Sequence, residues 1–235
     1  MKEFNIDQAV FPPFDGFPQA AIRFLKQLKK NNNREWFQQH KSEYDNFVKL
    51  PMQSFIAALR VSMETIAPEI DIHPTRNIFR IYRDTRFGND KTPYKTNVAA
   101  VFHLHGHWQE SAGYYVHIEP GAIYIGGGIY MPTNDQLKLI RSAISDRARE
   151  FCSIVESKSF KLKFGTLEGE KLKRAPLGFP HDHPSIEWLK HKSYYAGVDW
   201  NEKECFERTF VQKVTRIYGD LLPLIRFLNS ALKKG

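Results

Sequence analysis

The side chains of this chain best equipped for chemistry stand together between Phe79 and Lys95. They are Arg80, Tyr82, Arg83, Asp84, Arg86, Asp90, Lys91, Tyr94 and Lys95. Guanidinium groups present a rigid fork matched to phosphate or carboxylate, and ammonium groups add point charge. From Arg76 to Lys95 there are six basic residues against Asp84 and Asp90. In this reading Arg80, Arg83 and Arg86 hold an anion, Lys91 and Lys95 neutralise it, and Tyr82 and Tyr115 stack or hydrogen-bond. Asp84 and His117 are the acid/base candidates, with Lys91 and Tyr94 as further candidate catalytic residues. Tyrosines and lysines crowded by arginines are expected to have lowered pKa values. The structural alternative is that Asp84 and Asp90 neutralise their neighbours in an ion-pair network that pins a long loop.

A strand alone cannot gather these cations. Over Ile78 to Asp84 the alternation sends Arg80 and Tyr82 one way and Arg83 the other. The following stretch, with Gly88, Asn89 and Pro93, reads as a loop that folds Arg86, Lys91 and Lys95 back. Further strands are expected at Asn97 to His105, Gly113 to Glu119 and Ala122 to Tyr130, joined by short antiparallel connections. One face then carries Phe79, Ile81, Val98, Ala100, Phe102, Leu104, Val116, Ile118, Ile123 and Ile125. The other carries Arg80, Tyr82, Asp84, His103, His105, Tyr115, His117, Glu119 and Tyr124. Before the sheet, residues 1–70 read as a helical layer. Phe17, Ala21, Phe24, Leu25 and Leu28 share a face, Asn33 can cap a helix carrying Trp36 and His40, and Pro51 opens a third helix.

After the sheet, Thr133 and Gln136 form a capping box that starts a long helix. Phe160, Leu162 and Phe164 alternate with lysines, which predicts a strand that forms a small β-hairpin with Lys171 to Arg174. Pro184 opens a short helix over Ile186 to Leu189, Tyr194 to Val198 reads as a strand, and two helices, broken near Gly219 and Pro223, close the chain. The predicted fold class is α+β: an antiparallel β-meander, residues 76–131, packed on one face by N-terminal and C-terminal helices. Residues 1–235 are read as a single domain.

At 235 residues, 42% hydrophobic and 26% charged, the composition is that of a globular protein. The net charge of +8 favours anionic partners without identifying them. The first residues show no targeting signal and no window suits a membrane span, so a cytoplasmic location without membrane attachment is expected. Cys152 and Cys205 read as core thiols. His103, His105 and His107 match no strong metal spacing, so no metal is assigned and no cofactor is implied. Gly126-Gly127-Gly128 lacks the context of a phosphate loop and reads as a place where a strand bulges or another backbone comes close. The partner reading is a small anionic ligand. The alternative is nucleic acid bound by segments 76–95 and 158–174, with Phe87, Tyr94 and Phe164 stacking on bases.

The run from Phe79 to Thr96 resembles the "FRIYRDTRF…DKTPYKT" stretch of the family known as domain of unknown function 2461. Asn31 to Phe37 is similar to its "NN-REWF" helix start, and Gly113 to Ile118 with Gly126 to Tyr130 to its "GYYVHI…GGG-Y" strands. Leu172 to Pro176 resembles a later "LKR-P" element. The resemblance covers nearly the whole chain. It implies that Arg80, Tyr82, Arg83, Asp84, Arg86, Asp90, Lys91, Tyr94, Lys95, Tyr115 and His117 are family-like positions, and it brings no assigned reaction with it. Arg34 and Trp36 are candidates for the edge of the same pocket, with core packing the stronger reading for Trp36 and Phe37.

Overall fold

The computed structural model describes residues 11–86, 90–104 and 106–233. It is an α+β fold with a four-stranded antiparallel sheet flanked by helices. The first helices are α1 (Gln19–Lys30), α2 (Arg34–Gln39) and α3 (Leu50–Met63), the last preceded by a π turn over Tyr44–Lys49. The sheet consists of β1 (Val98–Phe102), β2 (Gly113–Glu119), β3 (Ala122–Ile129) and β4 (Tyr194–Trp200), in the spatial order β1-β2-β3-β4. Between β3 and β4 lie α4 (Asn134–Asp146), α5 (Ala148–Val155), α6 (Lys158–Phe164) and α7 (Ile186–Leu189). Helix α8 (Phe210–Leu232) ends the described chain. No helix among the described residues is long and apolar enough to cross a membrane.

Two compact units are distinguishable. One comprises Met1–Phe102, Tyr115–Ile125 and Asp199–Arg216, the other His103–Tyr114, Gly126–Val198 and Ile217–Gly235. In the first unit, helix α1 buries Ala21, Ile22, Phe24, Leu25 and Leu28 on one stripe. Asn33 caps α2 by accepting a hydrogen bond from the Trp36 amide. Pro51 stands in the first turn of α3, where its missing N–H costs nothing, and Met52, Phe55, Ile56, Leu59 and Met63 turn inward. Phe14, Phe17, Phe55 and Phe210 close a ring cluster, with Phe55 and Phe210 at 5.3 Å. Along β2 the buried Val116 and Ile118 alternate with the half-buried Tyr115, His117 and Glu119.

In the second unit the capping box at Thr133 forms as expected: Thr133 accepts from the Gln136 amide and the Gln136 side chain accepts from the Thr133 amide. Two expectations fail here. Phe160 to Phe164 is a helix, not a strand. Phe160 and Phe164 are four residues apart, so they share a helical face as readily as a strand face. Their rings meet at 5.0 Å, while Leu162 between them is 87% exposed. Ser157 caps the helix by accepting from the Phe160 amide. The hairpin with Lys171 to Arg174 is absent. Glu168 and Lys171 instead make isolated bridges to Tyr195 and His191.

The two C-terminal helices expected over Glu202 to Tyr218 and Leu221 to Lys233 are one helix from Phe210 to Leu232, with Pro223 inside it. An internal proline costs about 3 kcal/mol. Burial of Leu221, Leu224, Ile225 and Leu228 on the same helix outweighs that, at about 1.5–3 kcal/mol for each side chain.

Gly128 adopts φ +140°, and a Cβ there would lie 2.1 Å from the Tyr194 carbonyl oxygen and 2.4 Å from the Tyr195 Cα. Strand β4 therefore approaches this point as closely as backbone allows. Gly219, inside α8, would place a Cβ in open space. Gly128→Ala is expected to lower stability by more than about 3 kcal/mol, and Gly219→Ala to raise it by up to about 1 kcal/mol. Denaturant unfolding of the two variants checks the contrast.

His191 is fully buried, and burial pushes its pKa from 6.5 down to about 4. A depressed histidine contributes stability that is complete above pH 6.5 and is lost as pH falls towards 4. The expected loss between pH 7 and pH 4.5 is on the order of 2 kcal/mol. His191→Asn should flatten the unfolding midpoint over that interval relative to the parent chain, and an unchanged slope would exclude this residue as its source.

Candidate functional site

The Arg/Lys segment is not the continuous strand expected from Ile78 to Asp84. It makes isolated antiparallel bridges, Ile78 with Ala100 and Tyr82 with Tyr94. Around the second bridge Arg83 donates its amide to the Pro93 carbonyl at 2.9 Å, and Lys95 donates to Ile81 at 2.8 Å. The chain thus folds back on itself as a narrow ribbon. The rung at Arg83 is only half made, because Pro93 has no N–H to return. Beyond it Asp90 Oδ1 accepts from the Thr92 amide at 2.9 Å and from the Thr92 hydroxyl at 2.7 Å. A local side-chain turn thus begins where the ladder stops. Phe87, Gly88 and Asn89, expected at the loop tip, lie outside the described residues.

Asn32 ties this ribbon to the helices. Its side-chain amide donates to the Tyr94 carbonyl at 2.9 Å, and its Oδ1 accepts from the Tyr94 amide at 3.0 Å. The Tyr94 ring is buried and stacks on Phe37 at 4.1 Å. Asn33, the next residue, caps α2, the helix that carries Arg34 and Gln38. Two adjacent asparagines therefore position both walls of what lies between.

That is a cleft of about 490 Å³. Arg34, Gln38, Tyr82 and Arg83 line it, together with Thr85, Lys91, Pro93 and Tyr94. Three of these side chains are cationic and none is acidic. The aspartates of the segment hold cations in place from outside the lining. Arg83 pairs with Asp90 through Nη1, and its Nη2 reaches the Tyr94 carbonyl at 3.5 Å. Lys91 donates to the Thr85 carbonyl at 2.8 Å. Arg86 grips Asp84 with two bonds, Nε to Oδ1 at 3.0 Å and Nη2 to Oδ2 at 2.8 Å. The Asp84 carboxyl is accordingly held well below the usual carboxylate range, chiefly by Arg86. The Asp90 carboxyl is also lowered, first by its Thr92 hydrogen bonds and then by Arg83. Arg80 is exposed and makes no ion pair among the described residues.

Lys95, Tyr115 and His117 do not line the cleft. They form a second group on the half-buried sheet face. Lys95 Nζ lies 5.1 Å above the Phe79 ring, and Phe79 meets Tyr115 edge-on at 6.3 Å. Phe79, expected on the apolar face, belongs to this one. His117 Nδ1 is 3.3 Å from the Tyr115 hydroxyl, and its ring stacks on Tyr124 at 5.9 Å. His117 Nε2 is 3.9 Å from Glu119 Oε1. Burial lowers the His117 pKa below its ordinary value.

The expected lowering of tyrosine pKa values is reversed. Burial pushes Tyr115 up to about 12 and raises Tyr94 despite the nearby Arg34. Of the groups crowded by arginine, Lys95 moves down, by burial first and then by Arg80 and Arg83.

The histidine strand is also corrected. Strand β1 stops at Phe102, His103 is buried with Nδ1 2.6 Å from the Leu104 carbonyl, and His107 caps a 3-10 turn over Trp108–Glu110. His105 lies outside the described residues. Among the described residues no three His, Cys, Asp or Glu side chains gather as a metal site.

Asn32, Gln38 and Thr85 had no place in the expected site, and Pro93 was expected only as a loop residue. Gln38 had a signal, since it stands four residues after Arg34 and so on the same helix face. Asn32 had none, because its partner is sixty-two positions away in the chain.

Searches of curated proteins and of solved structures found no match. A family model described as "Conserved hypothetical protein (DUF2461)" matches residues 20–227, nearly the whole of the chain. The chain belongs to the DUF2461 family, as its Phe79 to Thr96 run suggested.

Proposed function

We propose that the cleft binds a small anionic ligand bearing a phosphate or carboxylate group. The observation that carries this reading is the composition of the wall: Arg34, Arg83 and Lys91 face one space from three separate pieces of chain, with no carboxylate among the lining residues. Two of the three cations are already restrained, Arg83 by Asp90 and Lys91 by the Thr85 carbonyl, so these two have little side-chain freedom left to lose when an anion arrives. The ion pairs that the structural alternative requires are therefore also the supports of a site.

The support extends to binding more firmly than to turnover. Asp84, gripped by Arg86, is too weak a base and too strong an acid for proton transfer near neutral pH. Tyr94, raised by burial, keeps its proton. Within the lining, Arg34, Arg83 and Lys91 act as anion holders, and Tyr82 as the exposed contact. The nucleic-acid alternative draws on two segments that fall in different compact units, and in the second of them Lys163 pairs with Asp220.

Titration with inorganic phosphate or citrate should raise the melting temperature of the parent chain. Arg34→Ala and Lys91→Ala should each weaken that binding about ten-fold, the worth of one charge-assisted hydrogen bond. Arg86→Ala, whose guanidinium sits on Asp84 outside the lining, should bind as the parent does. No stabilisation by either anion, or an equal loss in Arg86→Ala, would remove the proposal. A single-stranded oligonucleotide whose affinity falls steeply with salt would favour the alternative.

A further inference from the structure

We infer that the ligand of this cleft joins its anionic group to a flat aromatic ring system, in the manner of a mononucleotide, with the ring lying against Tyr82; this rests on the anion-binding reading above. Three observations lead to it.

The first is size. About 490 Å³ is far more room than a bare phosphate needs and falls within the range of sites for small organic molecules. The second is the number and origin of the cations. One carboxylate is satisfied by one guanidinium fork, whereas cationic heads from α2, the ribbon and its loop can surround the three terminal oxygens of a phosphate monoester.

The third is Tyr82. Its ring touches Tyr94 at 5.4 Å and Phe37 edge-on at 6.5 Å, yet the residue remains 50% exposed. Its neighbour Tyr94, in the same wall, is buried and stacked. Tyr82 is thus an aromatic side chain fixed along one side and open on the rest. Beside it Gln38 and the Thr85 hydroxyl have no side-chain hydrogen-bond partner among the described residues. An amide and a hydroxyl next to an open ring suit the polar edge of a heterocycle better than an aliphatic chain. Stacking a base on such a ring is worth about 1–3 kcal/mol and accepts any base, because every base has a π-face.

Calorimetric titration of the whole chain with adenosine monophosphate, uridine monophosphate, ribose 5-phosphate and inorganic phosphate tests this. The two mononucleotides should bind at least about ten-fold more tightly than ribose 5-phosphate. Tyr82→Ala should erase that advantage, so that mononucleotides and ribose 5-phosphate bind this variant alike, and Tyr82→Phe should keep it. Because Tyr82 is half exposed, both variants are expected to fold, and a melting curve for each verifies it. Equal binding of ribose 5-phosphate and the mononucleotides would overturn the inference and leave anion binding standing. Failure of all four ligands to bind would overturn both. An oligonucleotide that displaces the mononucleotide and weakens steeply with salt would move the site to nucleic acid and also overturn the inference.

Discussion

The geometry of the cleft depends on one side-chain amide. Asn32 closes two hydrogen bonds with the backbone of Tyr94, donor to acceptor and acceptor to donor, as a neighbouring strand would. Tyr94 is buried, and a buried peptide group without partners costs about 1–3 kcal/mol for each unmet bond. The ribbon has no strand beside it at this point, so without Asn32 the Tyr94 peptide groups would be left unmet or would have to reach solvent. With it, the Tyr94 ring is delivered onto Phe37 and the ribbon is joined to the turn that precedes α2. Asparagine suits the place because its amide carries both a donor and an acceptor; aspartate offers only acceptors.

Asp90 plays the corresponding part in the loop. One oxygen holds the turn through Thr92 and the other faces Arg83, so the residue that fixes the turn also aims a guanidinium. Ion pairing and ligand recognition are often set against each other when a sequence alternates arginine with aspartate. Here a paired side chain also lines the cleft. Arg86 and Asp84 consume each other, while Arg83 and Lys91 are held by partners and still form the wall.

Much of the scaffold was legible before any coordinates. Strand β2 begins and ends where the alternation of Gly113 to Glu119 does, and the caps at Asn33 and Thr133 form as their residue types require. These are local signals read over a few residues. The misreadings arose where one pattern serves two structures. Phe160, Leu162 and Phe164 fit a period of two, and two of them also fit a period of four, and burial decided for the helix. The segment from Ile78 to Asp84 had the composition of a strand but lacked an uninterrupted partner, because Pro93 opposite Arg83 has no amide to return to the ladder. In the site, the residue types were visible and their convergence was not. Lys95 and Tyr115 are drawn off towards Phe79, and the most consequential contact, Asn32 with Tyr94, links positions that share no periodicity.

The two tyrosines of the cleft differ in what the fold asks of them. Tyr94 is bound through its backbone and sealed through its ring, so any change there disturbs the scaffold. Tyr82 contributes no side-chain hydrogen bond among the described residues and keeps half its surface in solvent. Under the proposed reading, recognition and architecture fall to separate positions twelve residues apart on one ribbon. If the proposed reading holds, such a chain can drift in what it prefers to hold while conserving how it is built, and variation at position 82 among its kin would mark divergence of ligand and not decay of the fold.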